Sequence, residues 1–191
     1  MYQMNLSSIA RIVFMLILLP AVTSAADRPA SSISPLGYNL GSANRASIEK
    51  SLRSKTAVKP KGTNHYSAGP MLLVEGAGLG VDGLQTALFI FDNKETLVAV
   101  QMTLNKGGLG EEFDRTYECL VAKYPLARET VPFVGNKYAR FEKDYIVIEL
   151  DAPHLSFAMT VTYMTRSFEQ AFKTLSKRET QEKEKREGGQ F

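Results

Sequence analysis

Tryptophan is missing from the 191 residues, cysteine occurs once, at Cys119, and histidine twice, at His65 and His154. A lone cysteine forbids an internal disulfide even in an oxidising compartment, so the fold has to be held by packing. An odd cysteine in an exported chain can mean an intermolecular bridge or a reactive thiol, but a partly buried inert thiol is commoner, and Cys119 is read that way first. Neither histidine has a second histidine or a cysteine at ligand spacing, so no zinc motif is present. A Ser-His-Asp triad is defined by geometry and not by spacing, so His65 and His154 are the handles for any unrecognised hydrolytic site. An excess of either charge is also lacking: 23 basic residues against 20 acidic ones give +3. Nucleic-acid binders normally carry a clustered and much larger basic surplus, so nucleic acid is not an expected partner.

What is present begins with an export signal. Arg11 precedes the uncharged apolar run at 12–19, and small residues follow from Ala21 to Ala26. A basic flank, a short apolar stretch and a small-residue cut site are the layout of a cleavable leader. The run falls short of the roughly 20 apolar residues a spanning helix needs, and it meets Pro20. The sequence therefore predicts a signal peptide over 1–25 cut after Ala25, a periplasmic or secreted location, and no stable membrane insertion of the mature chain.

Residues 26–35 are rich in Ser, Ala and Pro and read as a flexible arm. Beyond it, 36–176 reads as one α+β domain and 177–191 as a charged tail with pairs such as Glu179 and Lys183 at helical spacing. Ser42 can cap a helix over 43–55 in which Ile48 and Leu52 share a face. Residues 58–69, with Pro60, Gly62, Asn64 and Gly69, read as a loop. Strands follow at 71–75, 84–91 and 97–105; in the last, Val98, Val100, Met102 and Leu104 alternate with Ala99, Gln101 and Thr103. A second helix over 111–123 carries the stripe Leu109, Phe113, Tyr117, Leu120, Val121 and Tyr124 and ends at Pro125. Glu111, Glu112 and Asp114 sit in its first turn, where the helix dipole favours carboxylates. Three more strands fit 137–141, 145–150 and 156–164, with Phe157, Met159, Val161 and Tyr163 on the inward face of the last.

The fold class that results is α+β. Two helix-plus-three-strand repeats, in lobes 36–106 and 107–165, form an antiparallel sheet with the helices packed on one side, plus a charged C-terminal helix from Arg166.

Two glycine clusters invite a nucleotide reading. Gly78, Gly80 and Gly83 have dinucleotide-fingerprint spacing and follow an apolar strand. That fingerprint needs a helix to open at its last glycine, whereas 84–91 reads as a strand, and Asp92 comes too early to hold a ribose. Gly107, Gly108 and Gly110 lack the Lys-Ser or Lys-Thr of a phosphate loop and read as a hinge. No catalytic set, cofactor or metal is assigned from the sequence. The loop at 76–83 also carries Leu79, Val81 and Asp82, a candidate contact for a protein partner. The alternative is that Leu79 and Val81 tuck into the sheet while the glycines permit a bulge. Arg45, Lys50 and Arg53, opposed only by Glu49 in the first helix, are a candidate contact for an anionic envelope polymer, or else a solvated helix face.

The duplicated helix-plus-meander order from Gly41 to Met164 resembles the tandem modules of exported β-lactamase-inhibitor-like proteins, and more distantly PepSY-type and outer-membrane assembly-factor modules. The resemblance lies in architecture and transfers no residue role; it implies a binding function, often inhibition or assembly of another protein. The leading expectation is an exported, non-catalytic module that recognises a protein, as an inhibitor or immunity-type factor. The alternatives are an envelope glycan- or lipid-binding module working through the basic first helix, and a hydrolase with an unrecognised site. N-terminal sequencing of the protein recovered from the cell envelope should begin at Ala26 or Asp27; a membrane-bound chain retaining Met1 would show that the leader is an anchor.

Overall fold

In the strand at 97–105, Val100, Met102 and Leu104 turn into the core, while Gln101 and Thr103 stay half-exposed between them. That strand becomes the middle of a sheet. A computed structural model describes residues 33–107 and 111–188, within one compact unit of residues 31–191. The leader with its cut site at Ala25, most of the arm, Gly108, Leu109, Gly110 and the last residues of the tail lie outside the described residues.

Helix α1 (Arg45–Arg53) precedes strands β1 (Val58–Thr63), β2 (Ala68–Glu75), β3 (Leu84–Asp92) and β4 (Leu97–Asn105). Helix α2 (Glu111–Val121) leads to β5 (Leu126–Thr130), β6 (Lys137–Lys143), β7 (Ile146–Ala152) and β8 (Ala158–Thr165), and helix α3 (Arg166–Gly188) follows at once. The eight strands make one antiparallel sheet in the order β1-β2-β3-β4-β8-β7-β6-β5. After β4 the chain passes through α2 to the far edge and meanders back, so the sheet is joined at its centre by β4 and β8, in register from Ala99 opposite Met164 to Asn105 opposite Ala158.

The sheet has eight strands and not six because each edge holds a strand that its residues disguise. Pro60, Gly62 and three polar residues hide β1, which is exposed along nearly its whole length. Such residues are the means by which natural edge strands avoid further pairing. Strand β5 is exposed at every position, so it shows no alternation to read. Helix α1 starts later than the sequence suggests, because the Asn44 side chain and not Ser42 caps it, accepting from Ala46 N at 2.9 Å. Two face assignments also fail. Phe157, expected to face inward, precedes β8 and is exposed. Val98, expected to share a face with Val100, packs in a smaller cluster apart from it, beside the register break between Ile90 and Phe91 on the neighbouring strand.

One large cluster includes Ile48 and Leu52 of α1, Phe113 and Leu120 of α2, and the inward residues of the sheet such as Phe89, Val100, Phe141 and Ile148. Ile33, expected at the end of the arm, is buried in it too. A smaller cluster joins Ile90, Ala99, Val147 and Met164 to Phe168 of α3. Beside it, Arg140 on β6 reaches Glu142 at 2.8 Å, Glu149 at 2.9 Å and Glu169 of α3 at 2.6 Å, and Lys173 also bonds Glu169. Glu169 is buried, and burial alone would push its carboxyl up, but the hydrogen bonds from Arg140 and Lys173 win and hold it below its ordinary value. A charge buried with full hydrogen bonding is tolerable, and one stripped of its partner is not.

Phe113 is fully buried, and Phe113→Ala should lower stability by about 3–5 kcal/mol in chemical unfolding, the range for truncating a core aromatic. Because the folded carboxyl of Glu169 has a depressed pKa, its stabilising contribution is present above the unfolded value and fades as pH falls through the folded one. The stability gap between the protein and Glu169→Gln, followed by unfolding across the acid range, should therefore narrow as pH drops below 4.5.

Candidate functional site

Antiparallel pairing sorts the connections into two ends. The β2–β3 loop, the start of the β4–α2 connection, the β5–β6 loop and the β7–β8 loop share one end, as Glu75 opposite Thr86, Asn105 opposite Ala158 and Lys137 opposite Ala152 require. The turns around His65, Lys94 and Asp144 lie at the other. His65 and His154 are thus at opposite ends of the sheet. The His65 ring meets Glu179 of α3 at 3.0 Å, and His154 sits in the β7–β8 loop, its N–H donating to Asn136 Oδ1 at 2.8 Å. Among the described residues no group of three or more His, Cys, Asp or Glu could hold a metal ion.

The glycine loop is built by close backbone approaches. A Cβ on Gly76 would lie 1.9 Å from the Leu84 carbonyl oxygen, and one on Gly78, whose φ is +86°, would lie 2.4 Å from that of Lys55 at the end of α1. The glycines therefore let the loop press against its neighbours, and β3 opens directly after Gly83. Of the three candidate contacts, Leu79 packs against the main core, whereas Val81 is 36% exposed and Asp82 is exposed.

Val81 and Asp82 form one wall of a groove of about 370 Å3. Helix α2 forms the opposite wall through Arg115 and Cys119, continued by Lys123 in the turn that follows it, and Met102, Leu104, Val161 and Tyr163 of the two central strands form an apolar floor. Cys119 is exposed here, which corrects its reading as a buried thiol: the α2 stripe faces the sheet at Phe113 and Leu120, and Cys119 lies off it. Arg115 is tied to Glu112, but the side chains of Asp82 and Lys123 have no partner among the described residues. Burial pushes the Tyr163 hydroxyl pKa well up, with Tyr124 and Cys119 close enough to add to the shift. The ring of Tyr163 meets that of Tyr124 edge-on, and its hydroxyl makes no hydrogen bond among the described residues. The groove therefore offers an apolar floor, a neutral hydroxyl, a thiol and one unpaired charge of each sign.

Around the same end stand residues that sequence patterning missed. Phe133 and Val134 in the β5–β6 loop are 102% and 65% exposed, and Leu155 and Phe157 in the β7–β8 loop are 92% and 84% exposed. Their signal was an apolar residue inside a turn-forming context, Pro132 to Gly135 and Pro153 to Ser156, which periodicity does not score.

The basic first helix is less available than its composition suggests. Arg45 pairs with Glu95 at 2.9 Å and Arg53 with Glu49 at 2.6 Å, so of Arg45, Lys50 and Arg53 only Lys50 lacks a partner among the described residues. A bulky maleimide should label Cys119 stoichiometrically in the native protein, as read by mass spectrometry; labelling that requires denaturant would place the thiol in the interior.

No family model, no curated protein and no solved structure matches the chain.

Proposed function

We propose that the protein is an exported, non-catalytic binding module, periplasmic or secreted, that recognises a protein partner through the groove between α2 and the glycine loop. The observation that supports this most is the groove's mixture of a packed apolar floor with the unpaired side chains of Asp82 and Lys123 on facing walls. Specific protein interfaces combine an apolar centre with polar groups that fix register and orientation. An extended segment or loop of a partner carrying one apolar side chain and flanking charges would meet both requirements. Two helix-plus-meander repeats, now of four strands each, are the proposed origin of the site, since the groove floor is made where the two meet. An inhibitor or immunity-type role is the form of protein recognition we propose for such a groove. The basic-helix reading for an anionic polymer is weaker because two of its three cations are neutralised within the fold. A hydrolase reading finds its two histidines at opposite ends of the sheet.

Val81→Arg combined with Lys123→Glu should leave unfolding nearly unchanged, since both side chains are exposed, and lower partner capture from the envelope fraction about tenfold or more, as a new charge on one wall and a reversed one on the other set like charges against those of the partner. A photoreactive residue at position 81 should give a discrete protein adduct that one at Arg178 does not. Undiminished capture by the folded double variant would remove the groove from the account.

A further inference from the structure

The exposed side chains at the loop end have no use in the groove reading and stand independently of it. Phe133, Val134, Leu155 and Phe157 project from two loops that are tied together, through the His154 N–H donating to Asn136 Oδ1. Monomeric soluble proteins seldom leave several large apolar side chains fully exposed together without a use for them. The question is what covers them.

Three features point to one kind of cover. First, both loops are uncharged: residues 131–136 read Val-Pro-Phe-Val-Gly-Asn and residues 153–157 read Pro-His-Leu-Ser-Phe. Second, part of the β7–β8 loop backbone is bonded within the protein. Lys106 donates from Nζ to the carbonyls of Pro153 and His154 at 2.7 and 3.1 Å and from its backbone N–H to that of Phe157 at 2.8 Å. Ser156 donates to Pro153 O at 3.2 Å, and its hydroxyl both donates to Ala158 O and accepts from Ala158 N. A loop tied in this way strands fewer donors and acceptors when it leaves water. Third, the exposed Phe133, Val134, Leu155 and Phe157 at the tips are apolar and offer no hydrogen-bonding group for a specific partner to read, whereas specific protein interfaces make about one hydrogen bond per 100–200 Å2. An apolar medium without fixed shape or directional polar groups matches all three.

We infer that the loop end is a reversible docking surface for a lipid bilayer, with Phe133, Val134, Leu155 and Phe157 entering the interfacial zone while the sheet stays outside. Amphipathic elements settle about 5–10 Å into that zone without spanning the membrane. No helix among the described residues is long and apolar enough to cross one, in keeping with peripheral attachment. The attraction is apolar, so it differs from docking through the basic helix in a measurable way. Binding should depend little on the fraction of anionic lipid and survive about 0.5 M salt, which shrinks the Debye length to a few ångströms.

Co-sedimentation of the mature protein with phosphatidylcholine vesicles, and with vesicles containing phosphatidylglycerol, tests this. Similar partition into both is expected at low and high salt. Phe133→Ser with Phe157→Ser should keep the unfolding transition, because both rings are in solvent, and reduce partition about tenfold or more. Val81→Arg with Lys123→Glu should leave vesicle partition unchanged, which separates this surface from the groove. Failure of the parent protein to sediment with either vesicle would overturn the inference, as would equal partition by the double Phe variant. Binding confined to anionic vesicles and abolished by salt would transfer the role to Lys50 and the basic helix. A photoreactive residue at 133 that adducts a protein in the absence of any vesicle binding would assign the tips to a protein partner.

Discussion

The pairing of β4 with β8 is the contact on which the rest of the structure depends. Without it the chain would hold two separate four-stranded meanders, each exposing the inward face of an edge strand: Val100, Met102 and Leu104 on one, Met159, Val161 and Tyr163 on the other. Joining them completes one core beneath α1 and α2, and it fixes which connections share an end. Antiparallel order then leaves no freedom. The glycine loop, the two apolar loops and the start of the β4–α2 connection have to gather at one end, and the floor of the groove has to lie over the seam.

The second face of the sheet is held differently. Little apolar surface is available there, and Phe168 with a few neighbours is supplemented by Arg140, which joins three carboxylates on two strands and α3. Replacing ion pairs of this kind by apolar residues of similar volume often costs little, whereas removing one partner leaves a buried charge and costs much. These pairs set where α3 crosses the sheet, while its distal turns stay exposed and alternate in charge.

Regular elements were legible where packing enforces a period. Leu84 to Asp92 and Leu97 to Asn105 announce themselves as strands because their apolar residues are packed on one face throughout and on both near the β3–β4 turn, and Phe113, Tyr117 and Leu120 announce a helix because they share its covered face. The edge strands were not legible, since β5 buries nothing and β1 trades apolar alternation for Pro, Gly and Lys that discourage pairing. The site was legible in half. The glycine loop drew notice through composition, but Leu79 and Val81 look alike in sequence and only the chain's path sends one into the core and the other to the groove. Phe157 was misassigned for the same reason: it continues the alternation of β8 by one step beyond the strand's last pairing partner, where no sheet remains to bury it.

We propose that the two apolar loops, and not the basic helix or the α3 face, are where this protein meets a membrane. Hydrogen–deuterium exchange of the mature protein with and without phosphatidylcholine vesicles reads every segment at once. Docking by the loops slows exchange at 131–136 and 153–157 and leaves α1 and the turn around His65 unchanged. Protection of α1, or of α3, with the two apolar loops unaffected would overturn it.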